Sequence, residues 1–279
     1  MPDLPIDGPK VRHPFVVRRL EVSHVTRVAS SMVRITLTGP ELDGFIASGP
    51  ADHVKVFLPD PATGELVIPT TSPDGVRLPT SGTVVARDYT PRDFRPASAL
   101  HGAELDLDVV VHGVDGPASA WASSAGLGAP LAVGGPRGSR PVPEGIAHLV
   151  LVVDETGFPA ASRWLRLTPP QVPVTVVLDA AEPADRAYFD DVPGAARATF
   201  VVVPRRDGDE LERAVRGLGS FDPRGHAFLA GEATRLVPLR RYLRRELALP
   251  AARVKVSGYW KRGVVALDHH APVDPTDPD

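Results

Sequence analysis

The pattern of hydrophobic and polar residues changes near residue 145. Before that point, short valine-rich runs alternate with polar residues and are separated by glycine and proline, which is typical of antiparallel strands in a barrel or sandwich. The runs are FVVRRLEVSHV (15–25), SMVRITLTG (31–39), HVKVFLP (53–59), GTVVARDYT (82–90), ELDLDVVVH (104–112) and APLAVGGP (129–136). A helix-like piece, PASAWASSA (117–125), interrupts them. The first half of the chain is therefore predicted to be an antiparallel β-barrel.

After residue 145, near-continuous apolar runs alternate with segments of helical spacing. The apolar runs are HLVLVVD (148–154), VPVTVVLDA (172–180), TFVVVP (199–204) and HAFLAGE (226–232). The helical segments are FPAASRWLRL (158–167), ELERAVRGL (210–218) and RLVPLRRYLRREL (235–247). Strands that are apolar throughout are buried on both faces, so this half predicts an α/β domain with a parallel sheet.

These patterns give four segments: a flexible arm over 1–14, a barrel domain over 15–144, an α/β domain over 145–263 and a disordered tail over 264–279. A length of 279 residues fits two ordinary domains. The arm and the tail are rich in proline and polar residues and have no apolar period, so neither is expected to pack.

Composition excludes several classes of function. The net charge of -3 gives no pull toward nucleic acid or an anionic membrane. No run approaches the roughly 18 apolar residues of a membrane span, and the N-terminus has no apolar signal region, so a cytoplasmic location is expected. The absence of cysteine excludes disulfides, thiol catalysis and cysteine-ligated iron–sulfur clusters. His269 and His270 have no partner at ligand spacing, so no metal site is expected.

The stretch ARDYTPRDFR (86–95) is the first candidate for chemistry. Tyr89 could stack on a flat ring, Thr90 could donate a hydrogen bond to it, and Arg87 or Arg92 could neutralise a pyrophosphate. The alternative is a strand end with solvated arginines. The residues alone leave both interpretations open.

A second stretch, HGVDGPASAWA (112–122), places glycine and serine just before the short helix. Such a helix start favours phosphate, although Ser119 or Asp115 could instead cap the helix. The chain has neither G-x-G-x-x-G nor a P-loop. The strand ends of the second half carry Asp154-Glu155-Thr156, Asp179, Arg205-Arg206 and Gly231-Glu232-Ala233-Thr234.

Together these stretches resemble the siderophore-interacting proteins, flavin-dependent ferric-siderophore reductases of the ferredoxin-reductase superfamily. Further matches to the family's motifs follow in order: HVK (53–55), GPRG (135–138), DETGFPA (154–160), AGE (230–232) and SGYWKRG (257–263). Two positions depart from the family pattern: Gly157-Phe158 replaces Ala-Leu, and Phe228 replaces a tryptophan. Both lie in the nicotinamide half, so they bear on the electron donor more than on the flavin.

The resemblance implies an N-terminal FAD-binding barrel of the ferredoxin-reductase type, followed by an NAD(P)H-binding domain. Its implied FAD contacts are Arg87, Tyr89, Thr90 (near flavin N5), Arg92, Val110, Val111, His112, Gly116, Pro117, Ala118 and Ser119. The residues implied to border the nicotinamide nucleotide are Asp154, Glu155, Thr156, Asp179, Gly231 and Glu232. Basic residues implied for an anionic ferric siderophore are Lys55, Arg137, Lys261 and Arg262. No side chain is implied as catalytic, because the flavin carries the electrons.

The implied activity is the reduction of Fe(III) in a siderophore to Fe(II) by a monomer, with electrons from NAD(P)H or a ferredoxin passing through FAD. One alternative is a flavin reductase acting on a quinone, on free flavin or on a biosynthetic partner. Another is a flavin-free module that binds an iron chelate. The basic segment 235–247 could steer an anionic substrate or an acidic ferredoxin, or could be a solvated helix face.

Overall fold

The computed structural model describes residues 10–72, 75–111, 116–268 and 270–277. The chain divides into two compact units, one ending at Pro141 and the other beginning at Val142. Among the described residues, no helix combines the length and the apolar character that a membrane crossing requires.

The first unit is built on antiparallel strands. They are β1 (Val11–Arg12), β2 (Val17–Ala29), β3 (Met32–Thr38), β4 (Val54–Leu58), β5 (Thr70–Ser72), β6 (Gly75–Arg77), β7 (Val85–Tyr89), β8 (Pro91–Arg95), β9 (Glu104–Val110), β10 (Pro130–Gly134) and β11 (Gly138–Ser139). Seven of them form one sheet in the order β7-β4-β10-β2-β3-β9-β8. One helix, α1 (Pro117–Ser124), and a 3₁₀ turn (Pro40–Leu42) complete the unit.

Strand alternation builds the core of this sheet. Leu20 and Val22 of β2 alternate with polar neighbours, and they pack with Ile35, Leu37 and Leu107 in one buried cluster. Burying one face of each strand in this way selects the register, because a slip by one residue would turn the apolar set outward.

Part of the predicted flexible arm pairs with the barrel unit. Strand β1 lies antiparallel to β11, and the imidazole of His13 is 2.9 Å from the hydroxyl of Ser139. The stretch before Phe15 has no apolar period, and backbone pairing with β11 holds it in place.

The second unit has a fully parallel sheet. Its strands are β12 (Leu149–Val153), β13 (Val174–Ala180), β14 (Ala198–Pro204), β15 (His226–Glu232) and β16 (Val254–Trp260), in the order β14-β13-β12-β15-β16. Its helices are α2 (Phe158–Leu167), α3 (Glu210–Arg216) and α4 (Ala233–Arg241). A π-helical turn (Tyr242–Glu246) and 3₁₀ segments at Glu155–Gly157, Pro183–Phe189, Ala195–Arg197 and Ala251–Arg253 connect them.

The strand order reverses at β12. The chain runs outward from β12 to β13 and β14, then returns to place β15 on the other side of β12. Every residue of β12 is buried, which explains its unbroken apolar sequence. The reversal leaves a crevice between the carboxyl ends of β12 and β15, which is where open parallel sheets bind ligands.

The segment predicted as a disordered tail contacts α4 and the turn after it. Asp274 pairs with Arg241 at 2.6 Å, and Asp277 pairs with Arg240 at 3.0 Å and with Arg245. Proline-rich polar residues can be held without an apolar core when several arginines donate hydrogen bonds to their carboxylates.

Candidate functional site

Thr90 marks a corner of the barrel unit where the two edges of the sheet meet. It is the single residue between β7 and β8, which are the outermost strands on opposite sides of the seven-stranded sheet. Because consecutive Cα atoms are about 3.8 Å apart, the sheet curls until these edges touch. The side chains around Thr90 are therefore presented where the sheet closes.

Tyr89 and Thr90 are held firmly at this corner. Tyr89 pairs with Val54 of β4 and packs against the barrel core, and Thr90 is buried. Burial raises the pKa of Tyr89 to about 12, against the opposing effect of the charge on Arg87. The phenol is thus neutral at physiological pH and offers a flat ring with one hydroxyl.

The two arginines of the corner are positioned differently. Arg92 is buried and is the extra residue of a β-bulge, because the register with β9 passes from Pro91 directly to Asp93. Bulges re-aim a side chain out of the strand's alternation, which gives Arg92 its inward position. Arg87 is half-buried and donates to the carbonyl of Ala86 at 2.7 Å.

Arg95, the third arginine of the same stretch, has a structural role. It donates two hydrogen bonds to the carboxylate of Asp106, at 2.6 and 2.9 Å, and one to Glu104 at 3.0 Å. Burial opposes ionisation of Asp106, but hydrogen bonds from Arg95 and Thr36 hold its pKa below the ordinary value. Arg95 therefore ties β8 to β9.

Within the part of the chain that the structure describes, no side chain caps the start of helix α1. Gly116 is its N-cap residue, so Ser119 does not cap the helix, and Asp115 lies outside the described residues. The first backbone bond runs from the N–H of Ala120 to the carbonyl of Gly116 at 2.8 Å. The helix carries no acidic residue in its first turn, so its positive end is not neutralised from within the helix.

The predicted residues before this helix fall partly outside the described chain. Val110 ends β9 opposite Met32, and the N–H of Val111 donates to the carbonyl of Ser31 at 2.6 Å. His112 lies outside the described residues. Pro117 stands at the first turn of α1, and Ala118 and Ser119 behind it are buried.

Lys55 and Arg137, two of the predicted basic substrate contacts, are near each other in the barrel unit. Lys55 pairs with Gly134 of β10, and Arg137 follows three residues later. The ammonium of Lys55 lies 2.8 Å from Asp88, and the guanidinium of Arg137 stacks on the ring of Phe15 at 4.3 Å. Both side chains retain exposed charge.

In the second unit, Asp154 joins the ends of three strands. Its carboxylate accepts hydrogen bonds from the N–H and hydroxyl of Thr156, from the N–H of Glu232 at 3.0 Å and from the indole of Trp260 at 2.8 Å. A Cβ on Gly231 would come within 2.6 Å of this carboxylate, so glycine is required there. Burial raises the pKa of Asp154 above its ordinary value, although Arg205 and these hydrogen bonds oppose the shift.

The neighbouring carboxylates hold two arginines. Asp179 at the end of β13 accepts two hydrogen bonds from Arg235, at 2.7 and 3.0 Å. Arg205, just past β14, donates to Glu155 and to the carbonyl of Asp179. Glu155 also accepts from the N–H of Ala181 at 2.6 Å. The predicted acids thus converge at one edge, but each has a partner from this chain.

Lys261 and Arg262 follow β16 at the same end of the second unit. Both side chains are exposed, and Arg262 lies 3.7 Å from Asp207. The N–H of Arg262 donates to Glu232 at 3.2 Å.

Arg235 and Trp260 were missed as members of this edge by the sequence analysis. Arg235 stands in the basic segment 235–247 and Trp260 in the SGYWKRG motif, but their partners lie 56 and 106 residues away along the chain. Only the return of β15 and β16 to the other side of β12 brings them together.

The barrel corner and the start of α1 fit FAD. A flat phenol, a buried threonine and a buried arginine meet at the corner, and a helix start without a side-chain cap suits a pyrophosphate. Such a barrel followed by a nucleotide-type parallel sheet defines a flavin-dependent oxidoreductase of the ferredoxin-reductase fold.

Comparison with known families agrees with this class. Residues 21–140 match the siderophore-interacting FAD-binding domain, and residues 146–263 match the siderophore-interacting protein model. The chain belongs to the siderophore-interacting protein family. The resemblance seen in the motifs and the expected fold class are thereby confirmed.

Individual relatives support the same assignment. The ferric vibriobactin reductase ViuB of Vibrio cholerae is 32% identical over 250 residues, which cover 88% of this chain and 90% of that protein. An NADPH-dependent ferric-chelate reductase of Escherichia coli is 40% identical over 158 residues, covering 56% of this chain and 59% of that protein. The solved structure of a siderophore utilization protein from T. fusca superimposes with a TM-score of 0.79 at 36% identity, covering 94% of this chain and 99% of that one.

Proposed function

We propose that this protein reduces Fe(III) in ferric siderophores to Fe(II), using FAD and electrons from NAD(P)H. One NAD(P)H supplies a hydride, which carries two electrons, so each turnover reduces two ferric chelates and releases NAD(P)⁺ and a proton. Hard oxygen donors hold Fe(III) tightly and Fe(II) much less so, and the reduction therefore releases the metal.

The observation that carries this proposal is the barrel corner at Thr90 in a chain of this family. Bound FAD supplies a centre that accepts an electron pair and passes electrons on singly. Tyr89 would stack on its ring system, Thr90 would donate a hydrogen bond at the ring edge, and Arg92 would neutralise phosphate. Residues 116–119 at the start of α1 would receive the pyrophosphate.

Substrate recognition is assigned to exposed basic side chains. Lys55 and Arg137 of the barrel unit would attract a ferric chelate that carries negative charge. Asp88 holds the ammonium of Lys55 in place without removing its exposure. In the second unit, Lys261 and Arg262 are separately proposed to act on the chelate by their charge. None of these residues would take part in proton transfer.

NAD(P)H is proposed as the donor because the relative from Escherichia coli is named as NADPH-dependent. Its binding place in this chain is proposed to be the carboxyl edge at Asp154, Glu155, Thr156, Asp179 and Gly231-Glu232. The protein is proposed to act as a monomer in the cytoplasm, and a ferredoxin is the other donor to be tested.

The test is a visible absorption spectrum of the purified chain after incubation with FAD and removal of free flavin. Retained flavin bands should bleach when NADH, NADPH or a reduced ferredoxin is added without oxygen, and should recover when a ferric siderophore follows. Recovery with a quinone but not with the ferric chelate would contradict the proposed substrate. A protein that retains no flavin would contradict the proposal as a whole.

A further inference from the structure

The carboxyl edge of the parallel sheet contains four features that ordinarily bind phosphate. Two are helix starts, at the 3₁₀ turn leading into α2 and at α4. Two are the guanidinium groups of Arg205 and Arg235. In this chain a carboxylate of the protein occupies each of the four.

The two helix starts are capped by acidic side chains. Asp154 accepts the N–H of Thr156 at 2.9 Å, and Glu232 accepts the N–H of Arg235 at 2.8 Å. Both carboxylates belong to buried residues. Negative charge therefore already lies at the positive end of each helix.

The two arginines are held by the other two acids. Asp179 binds Arg235 through two parallel hydrogen bonds, as a phosphate would. Arg205 binds Glu155, but its Nε lies 3.5 Å from Asp179 and makes no hydrogen bond among the described residues. The guanidinium of Arg205 thus has a buried donor that its present partners do not satisfy.

The space between these groups is filled. The cavity bounded by Asp154, Asp179, Gly231, Glu232 and Arg235 holds about 10 Å³, room for one water. A phosphate that takes the two hydrogen bonds now accepted by Asp179 from Arg235 must therefore displace that carboxylate.

We propose that Asp179 is an intramolecular competitor for the phosphate of the electron donor, and that binding exchanges Asp179 for a phosphate group on Arg235 and Arg205. Asp179 is then a residue that sets the affinity for the donor. The inference rests on the proposed function in one respect, that a nicotinamide dinucleotide binds at this edge.

The exchange predicts opposite effects for the two partners of one ion pair. Asp179→Asn should tighten binding of 2′,5′-ADP about tenfold, because apparent affinity is reduced by the fraction of protein in which the arginines are held. Arg235→Gln should weaken it by a similar factor. Dissociation constants from isothermal titration calorimetry measure both changes without any turnover. Comparison of 2′-AMP with 5′-ADP identifies which phosphate takes the arginines.

A matched control is available in the barrel unit. Asp108 is buried and holds Arg34 through two hydrogen bonds of 2.7 and 2.9 Å, so Asp108→Asn makes the same change at a similar pair. It should leave nucleotide binding unaltered. If Asp179→Asn fails to fold, Glu155→Gln releases Arg205 alone and should give a smaller gain.

Unchanged or weakened binding in Asp179→Asn, or no binding of any of the phosphate probes, would overturn the inference. The proposed reductase activity is tested separately: FAD reduced photochemically should be reoxidised by a ferric siderophore in the wild-type chain and in the Asp108→Asn control. Loss of that step would contradict the proposed function, whereas a change confined to nucleotide affinity concerns only Asp179.

Discussion

The start of α1 in the barrel unit and the carboxyl edge of the α/β unit treat negative charge in opposite ways. Helix α1 has a glycine at its N-cap, and among the described residues it has no side-chain cap and no acid in its first turn. The helices at the carboxyl edge begin at Asp154 and Glu232, both of which cap. Within the described residues, the chain therefore places carboxylates at the helix starts of the second unit and none at the start of α1.

This difference matches two kinds of ligand. A resident cofactor stays in place and can itself complete a fold. A donor that binds and leaves each cycle requires a unit that is stable without it, and buried arginines must then find carboxylates in the chain. We infer that the contrast between the two units reflects this difference in residence.

The largest expected effect is a loss of stability at low pH that arises in the second unit. His226 opens β15, and burial lowers its pKa to about 4. The neutral imidazole therefore stabilises the fold fully above pH 6.5, and this contribution is lost as the pH falls toward 4, because the unfolded chain takes up the proton first. Its share of the loss is about 3 kcal/mol at pH 4.

Urea unfolding at pH 7.5 and pH 4, followed by tryptophan fluorescence, measures this loss, since Trp164 packs on His226. In His226→Gln the loss over this range should shrink by about 3 kcal/mol. His24→Gln, in the barrel unit, is the control. An equal pH dependence in the wild-type chain and in His226→Gln would refute the assignment.

The second effect concerns the corner at Thr90. Tyr89→Ala combined with Thr90→Ala removes a stacking face and a hydrogen-bond donor, which together contribute about 2 kcal/mol, or some thirtyfold in the Kd for FAD. Fluorescence titration with FAD measures the change, and circular dichroism checks the fold. Tyr89→Phe keeps the ring and should bind nearly as well. Unaltered FAD content in the double variant would contradict the proposal that the flavin binds at this corner.

The third and smallest effect is expected when the start of α1 is given an acidic cap like those at the carboxyl edge. Gly116→Asp places a carboxylate at the start of α1, where a Cβ meets no neighbour within 4 Å. The variant should be slightly more stable and should bind FAD roughly fivefold more weakly, an effect of about 1 kcal/mol. Gly116→Asn supplies a neutral cap. If Asn weakens FAD binding as much as Asp, occupancy of the helix start matters and charge does not.

The sequence predicted the order of the two units and the change from alternating to continuous apolar strands. These features are carried by short-range periodicity and by motifs whose residues are neighbours. It did not predict which charges pair. Arg95 stands in the same stretch as Arg92, yet it binds Asp106 across a hairpin. The basic segment after Glu232 was interpreted as a steering surface or a solvated face.

Two arginines of the basic segment 235–247 are instead held by distant acids, Arg235 by Asp179 and Arg241 by Asp274. Such partners lie 33 to 56 residues apart, and nothing local to either residue marks the other. Long-range pairing follows from topology. The pairing of arginines with carboxylates of the same chain at the carboxyl edge was therefore visible only in the structure.

The single-residue link at Thr90 also limits how this protein can vary. Loops elsewhere in the barrel can lengthen at little entropic cost. The link at Thr90 has no spare residue. One inserted residue would turn either Tyr89 or the buried Thr90 to the opposite face of its strand. The corner can therefore change by substitution but not by insertion or deletion, so variation at this point of the chain is confined to the identity of its side chains.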